Sequence, residues 1–260
     1  MEIGREDEEA YRIIGGRADS GVIVICDHAR NTVPEEYADL GLPAEQFCRH
    51  IAYDIGAESI AERIGAALCA PVVLSKFSRL LIDINRGEDD PTLVMRLSDG
   101  AIIPGNRHVD ELEVARRLER FWRPYHAAVA ATIQRCRATG VTPVILSIHS
   151  MTHCFKGVQR PWPISVLWDG GDHRLAGQLL DHFRAEPGLL VGDNEPYHGA
   201  LEGDTLWKHA RGNGLAGAII EYRQDLVADE AGQAYWADRT VAVMRAILQV
   251  QATETVRAAE

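Results

Sequence analysis

Short runs rich in Val, Ile and Leu recur along the chain, at residues 21–26, 71–74, 80–84, 143–148, 164–167 and 216–221. Runs of this length and apolarity read as strands buried on both faces. Between them lie longer amphipathic stretches, 44–68, 109–139, 173–184 and 230–250, which read as helices. Strands alternating with helices imply an α/β fold: a mixed, mostly parallel sheet with helices on both faces. At 260 residues and 46% hydrophobic content the chain can bury a large core. It has no internal repeat, low-complexity tract or Gly/Ser linker, so a single domain over residues 1–260 is expected, with a loose tail from Gln251 to Glu260.

Lys and Arg number 27 against 38 Asp and Glu, and the net charge of -11 opposes binding to nucleic acid or to an anionic membrane. A small-molecule partner is expected instead. Cys26, Cys48, Cys69, Cys136 and Cys154 are scattered and form no CxxC pair, which points to neither a disulfide framework nor a thiolate zinc knuckle. Reduced thiols fit a cytoplasmic location. The acidic start MEIGREDEEAYR lacks an apolar run, and no later segment approaches the roughly 18 apolar residues of a membrane helix, so neither export nor membrane spanning is expected.

Chemistry-bearing residues cluster where apolar runs give way to polar loops. The run GVIVIC leads into Asp27, His28, Ala29, Arg30 and Asn31, and PVILSI leads into His149 and Ser150. Two such imidazoles can share one ion, and two histidines with one carboxylate make a three-ligand site with an open position. Asp54, in HIAYDIG near the start of a helix candidate, is the first candidate carboxylate, with Asp27 in reserve. The segment SRLLIDINR carries Arg79, Asp83, Asn85 and Arg86. Guanidinium forks suit planar anions, so Arg86 beside Asn85 reads as a carboxylate clamp, Arg79 as a group that polarises the scissile carbonyl, and Asp83 as the partner of an arginine.

Glu221 ends the run GAIIE and is the candidate general base, with Arg223 two positions on and on the same face. His126 in RPYHAAV sits on a helix pattern that could turn toward a cleft, while Asn194 and Tyr197 in GDNEPYHG lie on a loop from which they could meet substrate. His50, His153, His198 and His209 have no partner that spacing identifies and read as surface or supporting groups.

The segments CDHARNTVP, YDIGAESIA, SRLLIDINR, PYHAAV, SIHS, NEPY and EYR, in this order and over about residues 20–245, resemble the N-formylglutamate amidohydrolase family. That family is in turn similar in fold to zinc carboxypeptidases and aspartoacylases. The resemblance implies one divalent metal ion, zinc in the first instance with manganese and cobalt left open, held by His28 and His149. It implies Arg79 at the carbonyl, Asn85 and Arg86 on the substrate carboxylate, and Glu221 as base. The substrate it implies is an N-acyl amino acid, N-formyl-L-glutamate above all, cleaved to L-glutamate and formate by metal-activated water.

The chain departs from the peptidase pattern in one place. Where zinc carboxypeptidases have His-x-x-Glu, it has His28-Ala-Arg-Asn31, and an amide is a poor zinc ligand, so Asp54, Asp27 or water must complete the set. Two other readings compete with the metallohydrolase. One is a binding protein that holds a small anion in the same cleft without turning it over. The other is an amide hydrolase with Cys26 or Cys154 as nucleophile, although each lies too near its histidine in sequence to be aimed at it.

Overall fold

Val22, Val24 and Cys26 face one side of a strand and Ile23 and Ile25 the other, and all five are fully buried, in two different apolar clusters. A strand buried this way needs cover on both faces, which is the layering of the whole molecule. The computed structural model describes residues 9–199 and 201–259. Its strands are β1 (Tyr11–Ile14), β2 (Val22–Cys26), β3 (Val72–Ser75), β4 (Leu97–Ser98), β5 (Ala101–Ile102), β6 (Val144–Met151), β7 (Cys154–Phe155), β8 (Val158–Gln159), β9 (Ile164–Leu167), β10 (Val191–Asp193) and β11 (Gly217–Arg223). Its helices are α1 (Ala57–Leu68), α2 (Glu111–Arg117), α3 (Arg123–Arg137), α4 (Arg174–Arg184), α5 (Thr205–His209) and α6 (Glu230–Ala259).

Seven strands form one mixed sheet in the order β1-β3-β2-β6-β11-β9-β10. The central strands β3, β2, β6 and β11 run parallel, with β1 antiparallel at one side and β9 antiparallel to β11 at the other. Ile60 and Ile64 of α1, Leu179 and Phe183 of α4, and Met244 and Ile247 of α6 pack on one face. Tyr125, Val129 and Ile133 of α3 and Leu206 of α5 pack on the other. The pairs β4–β5 and β7–β8 are two-residue hairpins outside the main sheet. No described helix is long and apolar enough to cross a membrane.

Four expectations need correction. Residues 80–84 are not a strand: Leu80, Leu81 and Ile82 are buried in a third apolar cluster with Ile51, Ile103, Phe121 and Trp122. Their backbone carbonyls are satisfied by side chains. Asn106 Nδ2 donates to Leu80 O at 2.7 Å and Arg117 Nη1 donates to Leu81 O at 2.8 Å. The 44–68 helix is broken, with a 3-10 turn at Ala44–Cys48 and α1 starting only at Ala57. Gly56 makes that break, because its φ is +79° and a Cβ there would stand 2.3 Å from Val227 O. The short strands β1 and β10 escape the sequence pattern, and the helical backbone of α6 continues through the tail as far as Ala259.

Candidate active site and metal centre

Parallel strands bring their carboxyl ends to one edge of the sheet, and there β2, β6 and β11 deliver the candidate residues together. His28 follows β2 by two residues, His149 lies on β6, and Glu221 on β11 is the direct register partner of His149. Asp54 comes from the loop before α1 and is tied to the first of these segments by its own N–H, which donates to His28 O at 2.9 Å. His28, Asp54, His149 and Glu221 are each buried to 5% exposure or less. They line a cleft of about 590 Å³ together with Arg79, Asn85, Arg86, Tyr197 and residues of the β4–β5 and β7–β8 hairpins.

One ligand atom from each of His28, Asp54 and His149 lies within 4.8 Å of the others. Both imidazoles are oriented from behind by carboxylates: Asp83 Oδ1 stands 2.7 Å from His28 Nε2, and Asp27 Oδ2 stands 3.1 Å from His149 Nε2. A carboxylate only accepts, so each Nε2 carries the proton and each Nδ1 presents its lone pair to Asp54. Asp54 Oδ2 is 2.8 Å from His149 Nδ1 and 3.5 Å from His28 Nδ1. Lone pairs facing each other at that distance repel unless a cation sits among them.

A proton or a metal ion can fill that role. Burial opposes charge on His149, but its hydrogen bonds to Asp27 and Asp54 push the imidazole well above its usual value. Burial likewise opposes ionisation of Asp54, yet His28 and His149 hold it well below the carboxylate range. Among the described residues, His28 Nδ1 has no hydrogen-bond partner despite being buried, and neither has Glu221 Oε2. Once that proton is displaced, two imidazoles, a carboxylate and an orphaned lone pair make a donor set that fits a divalent metal ion.

The outer groups form a connected network. Arg79 donates to Asp83 Oδ2 through Nε at 3.1 Å and Nη2 at 2.7 Å, and its Nη1 stands 3.7 Å from Asp54 Oδ1. Burial opposes charge on both, but the pairing keeps the Asp83 carboxyl well below its usual range and the Arg79 guanidinium above its own. Tyr125 OH donates to Asp27 Oδ1 at 2.7 Å from the α3 side. Tyr197 OH donates to Glu221 Oε1 at 3.1 Å, and burial raises the Glu221 carboxyl above its ordinary value.

Residues 20–228 match the family model FGase, N-formylglutamate amidohydrolase. The chain belongs to the N-formylglutamate amidohydrolase family. The match stops short of the 245 that the motif order implies. The crystal structure of gene product Atu2144 from Agrobacterium tumefaciens is similar at TM-score 0.88 and 34% identity, over 95% of this chain and 98% of that one. That of N-formylglutamate amidohydrolase from Ralstonia eutropha JMP134 shares the fold at TM-score 0.71 and 20% identity, over 94% and 99% of the two chains. The N-formylglutamate deformylase of Pseudomonas putida is 25% identical over 157 residues, 55% of this chain and 57% of that protein. The match thus spans little more than half the length of that curated relative.

In this N-formylglutamate amidohydrolase family member, Asn31 stands away from the ligand cluster, donating through Nδ2 to Phe47 O at 2.7 Å, so it holds a loop. Asn85 lines the cleft, with its N–H on Asp83 Oδ1 and its Oδ1 on the Thr205 N–H, and Arg86 lines it with no carboxylate partner among the described residues. Three other candidates lie off the cleft. His126 is wedged between His209 Nε2 at 2.9 Å and Ile84 O at 3.1 Å. Asn194 Oδ1 accepts from Trp168 N and Gly199 N. Arg223 pairs with Asp225 and donates to Arg160 O, because its side chain follows the strand past the site.

Cys26 packs into the core, where burial pushes its thiol well up, and Cys154 does not line the cleft. His50 and His198 do line it, and His50 Nε2 stands 3.4 Å from Asp99 Oδ2. Sequence reasoning passed over Arg160 and Lys156, which come from the β7–β8 hairpin region, and Tyr125, which anchors Asp27. Lys156 and Arg160 lie in a stretch, 151–163, with no hydrophobic periodicity to mark them.

Proposed function

We propose that this cleft hydrolyses the amide of an N-formyl amino acid, N-formyl-L-glutamate in the first instance, to formate and the free amino acid. The observation that carries the reading is the buried Glu221 carboxylate, register partner of His149 and beside a cluster of His28, Asp54 and His149 with an open cleft in front. A divalent ion bound by those three residues, zinc in our reading, supplies Lewis acidity to the carbonyl. The chain's own groups do the rest. Glu221, one oxygen held by Tyr197 and the other without a hydrogen-bond partner among the described residues, takes a proton from the attacking water and delivers it to the leaving nitrogen. The water oxygen joins the formyl carbon as the C–N bond breaks, so formate and an amine leave.

Arg79, locked between Asp83 and Asp54, places fixed positive charge where the carbonyl oxygen gains negative charge. Arg86 and Asn85 take the carboxylate on the carbon that bears the scissile nitrogen. Family membership supports the substrate class, and the donor set supports the ion. The test is formate release from N-formyl-L-glutamate before and after exhaustive chelation. Activity lost with about one equivalent of metal per chain, and restored by zinc, manganese or cobalt, agrees with the reading. Activity untouched by complete removal of metal overturns the metal-dependent part of it, and no turnover with any of the three ions overturns the whole.

A further inference from the structure

The chain carries a net charge of -11, yet its cleft holds cations that form no salt bridge among the described residues. Arg79 is paired with Asp83, and Asp99, also in the cleft lining, is paired with Arg49 at 2.9 Å. Arg86, Lys156 and Arg160 make no salt bridge among the described residues, although all three line the cleft. Arg86 and Arg160 belong to different walls. Arg86 follows the loop whose Asp83 orients His28, and its neighbour Asn85 meets α5 through Thr205. Arg160 closes the β7–β8 hairpin, its N–H donating to His153 O at 2.8 Å.

The Arg160 guanidinium is held in place without being neutralised. Its Cζ lies 5.5 Å from the ring centre of Phe155 and 5.5 Å from that of Tyr197, and Tyr197 is the residue that holds Glu221. Its backbone carbonyl accepts from Arg223 Nη1 at 3.2 Å, which fastens the hairpin base to the end of β11. Stacked, half-buried and in no salt bridge among the described residues, this fork is prepared for a planar anion from the cleft.

We infer that Arg160 is the specificity residue for a second carboxylate, the one at the far end of the substrate's side chain, so that the cleft selects N-formyl dicarboxylic amino acids over their neutral analogues. The inference rests on the hydrolase reading above and names what that site chooses. Arg86, built next to the loop that orients His28, is suited to the near carboxylate, and Arg160, on the hairpin wall, to the distant one. Removing the side-chain charge of the substrate then leaves Arg160 desolvated without a partner, which is what makes the choice steep.

The experiment compares kcat/KM for N-formyl-L-glutamate and N-formyl-L-glutamine in wild type, Arg160→Met and Arg160→Lys. Wild type is expected to prefer the glutamate compound by about 10- to 100-fold, the range of a charge-assisted hydrogen bond. Arg160→Met should lose that preference, mainly through KM for the glutamate compound, while still cleaving the glutamine compound, which also reports correct folding. Arg160→Lys should recover part of the preference, since it restores charge without the fork. A Met variant that keeps the wild-type preference, or loses both substrates equally, overturns the inference and leaves the hydrolase reading standing. A wild-type enzyme that cleaves neither compound overturns both.

Discussion

Glu221 and His149 face each other across adjacent parallel strands, so the carboxylate and the imidazole rise from the same face at the same level of the sheet. Their separation is set by the ladder of the two central strands rather than by a loop. Glu221 Oε1 is held by Tyr197, while Oε2 has no hydrogen-bond partner among the described residues. Glu221→Gln keeps the shape and that hydrogen bond but removes the basic oxygen. It is expected to lower kcat about 100- to 10,000-fold with little change in metal content. Steady-state kinetics on the metal-loaded variant measures this, and a loss below tenfold would remove Glu221 from the role of base.

Asp83 binds His28 Nε2 and Arg79 at once and is fully buried. Asp83→Asn weakens the hold on both, so metal affinity should fall about 10- to 100-fold, the usual cost of losing a residue that orients a ligand. Competition with a calibrated chelator gives the affinity. An unchanged dissociation constant would mean that His28 is oriented by other contacts.

Gly56 takes a positive φ immediately before α1, two residues after Asp54, and its α-carbon faces Val227 O. Gly56→Ala should cost about 1–3 kcal/mol from backbone strain alone, with the clash added to it. Urea unfolding tests the value, and a neutral result would show that the loop can rearrange without cost.

Burial, reinforced by the neighbouring His209, lowers His126 to about 3, and burial lowers His209 to about 4. A histidine depressed in the folded state is protonated only in the unfolded chain as pH falls below about 6.5, so acid favours unfolding. Asp204, pushed up to about 6 by burial, and Glu221, also raised by burial, take a proton first in the folded chain and offset this. Each histidine alone contributes a loss of up to about 1.4 kcal/mol of unfolding free energy per pH unit between about 6.5 and 4 in metal-free protein. A His209→Asn variant should therefore show a shallower acid loss than wild type in unfolding curves across that range, and equal slopes would contradict a neutral buried pair.

The central strands were legible because burial on both faces leaves unbroken apolar runs, as in 21–26 and 143–148. The same logic failed at 80–84, where apolarity reports burial in a side cluster and says nothing of backbone pairing. Strand ends also pointed to His28, His149 and Glu221, which the sheet brings to one edge. Asp54 was named from a helix start that lies further on, and it reaches the cluster through a backbone bond to His28 that no local pattern encodes. Arg160 was missed because its meaning depends on two aromatic rings and on its forming no salt bridge among the described residues, which are properties of the folded cleft alone.

A strand is gripped along its whole length by its neighbours, whereas the segment carrying Arg79 and Asp83 is gripped at a few points by side chains. Asn106 and Arg117 grasp two of its carbonyls and each other, at 2.7 Å between Arg117 Nη1 and Asn106 Oδ1. Arg117 comes from a helix that never touches the cleft. The sheet therefore fixes where His149 and Glu221 stand, while a separate clamp sets the aim of Arg79. The clamp reaches the imidazoles through Asp83, so residues remote from the cleft bear on the aim of both Arg79 and His28.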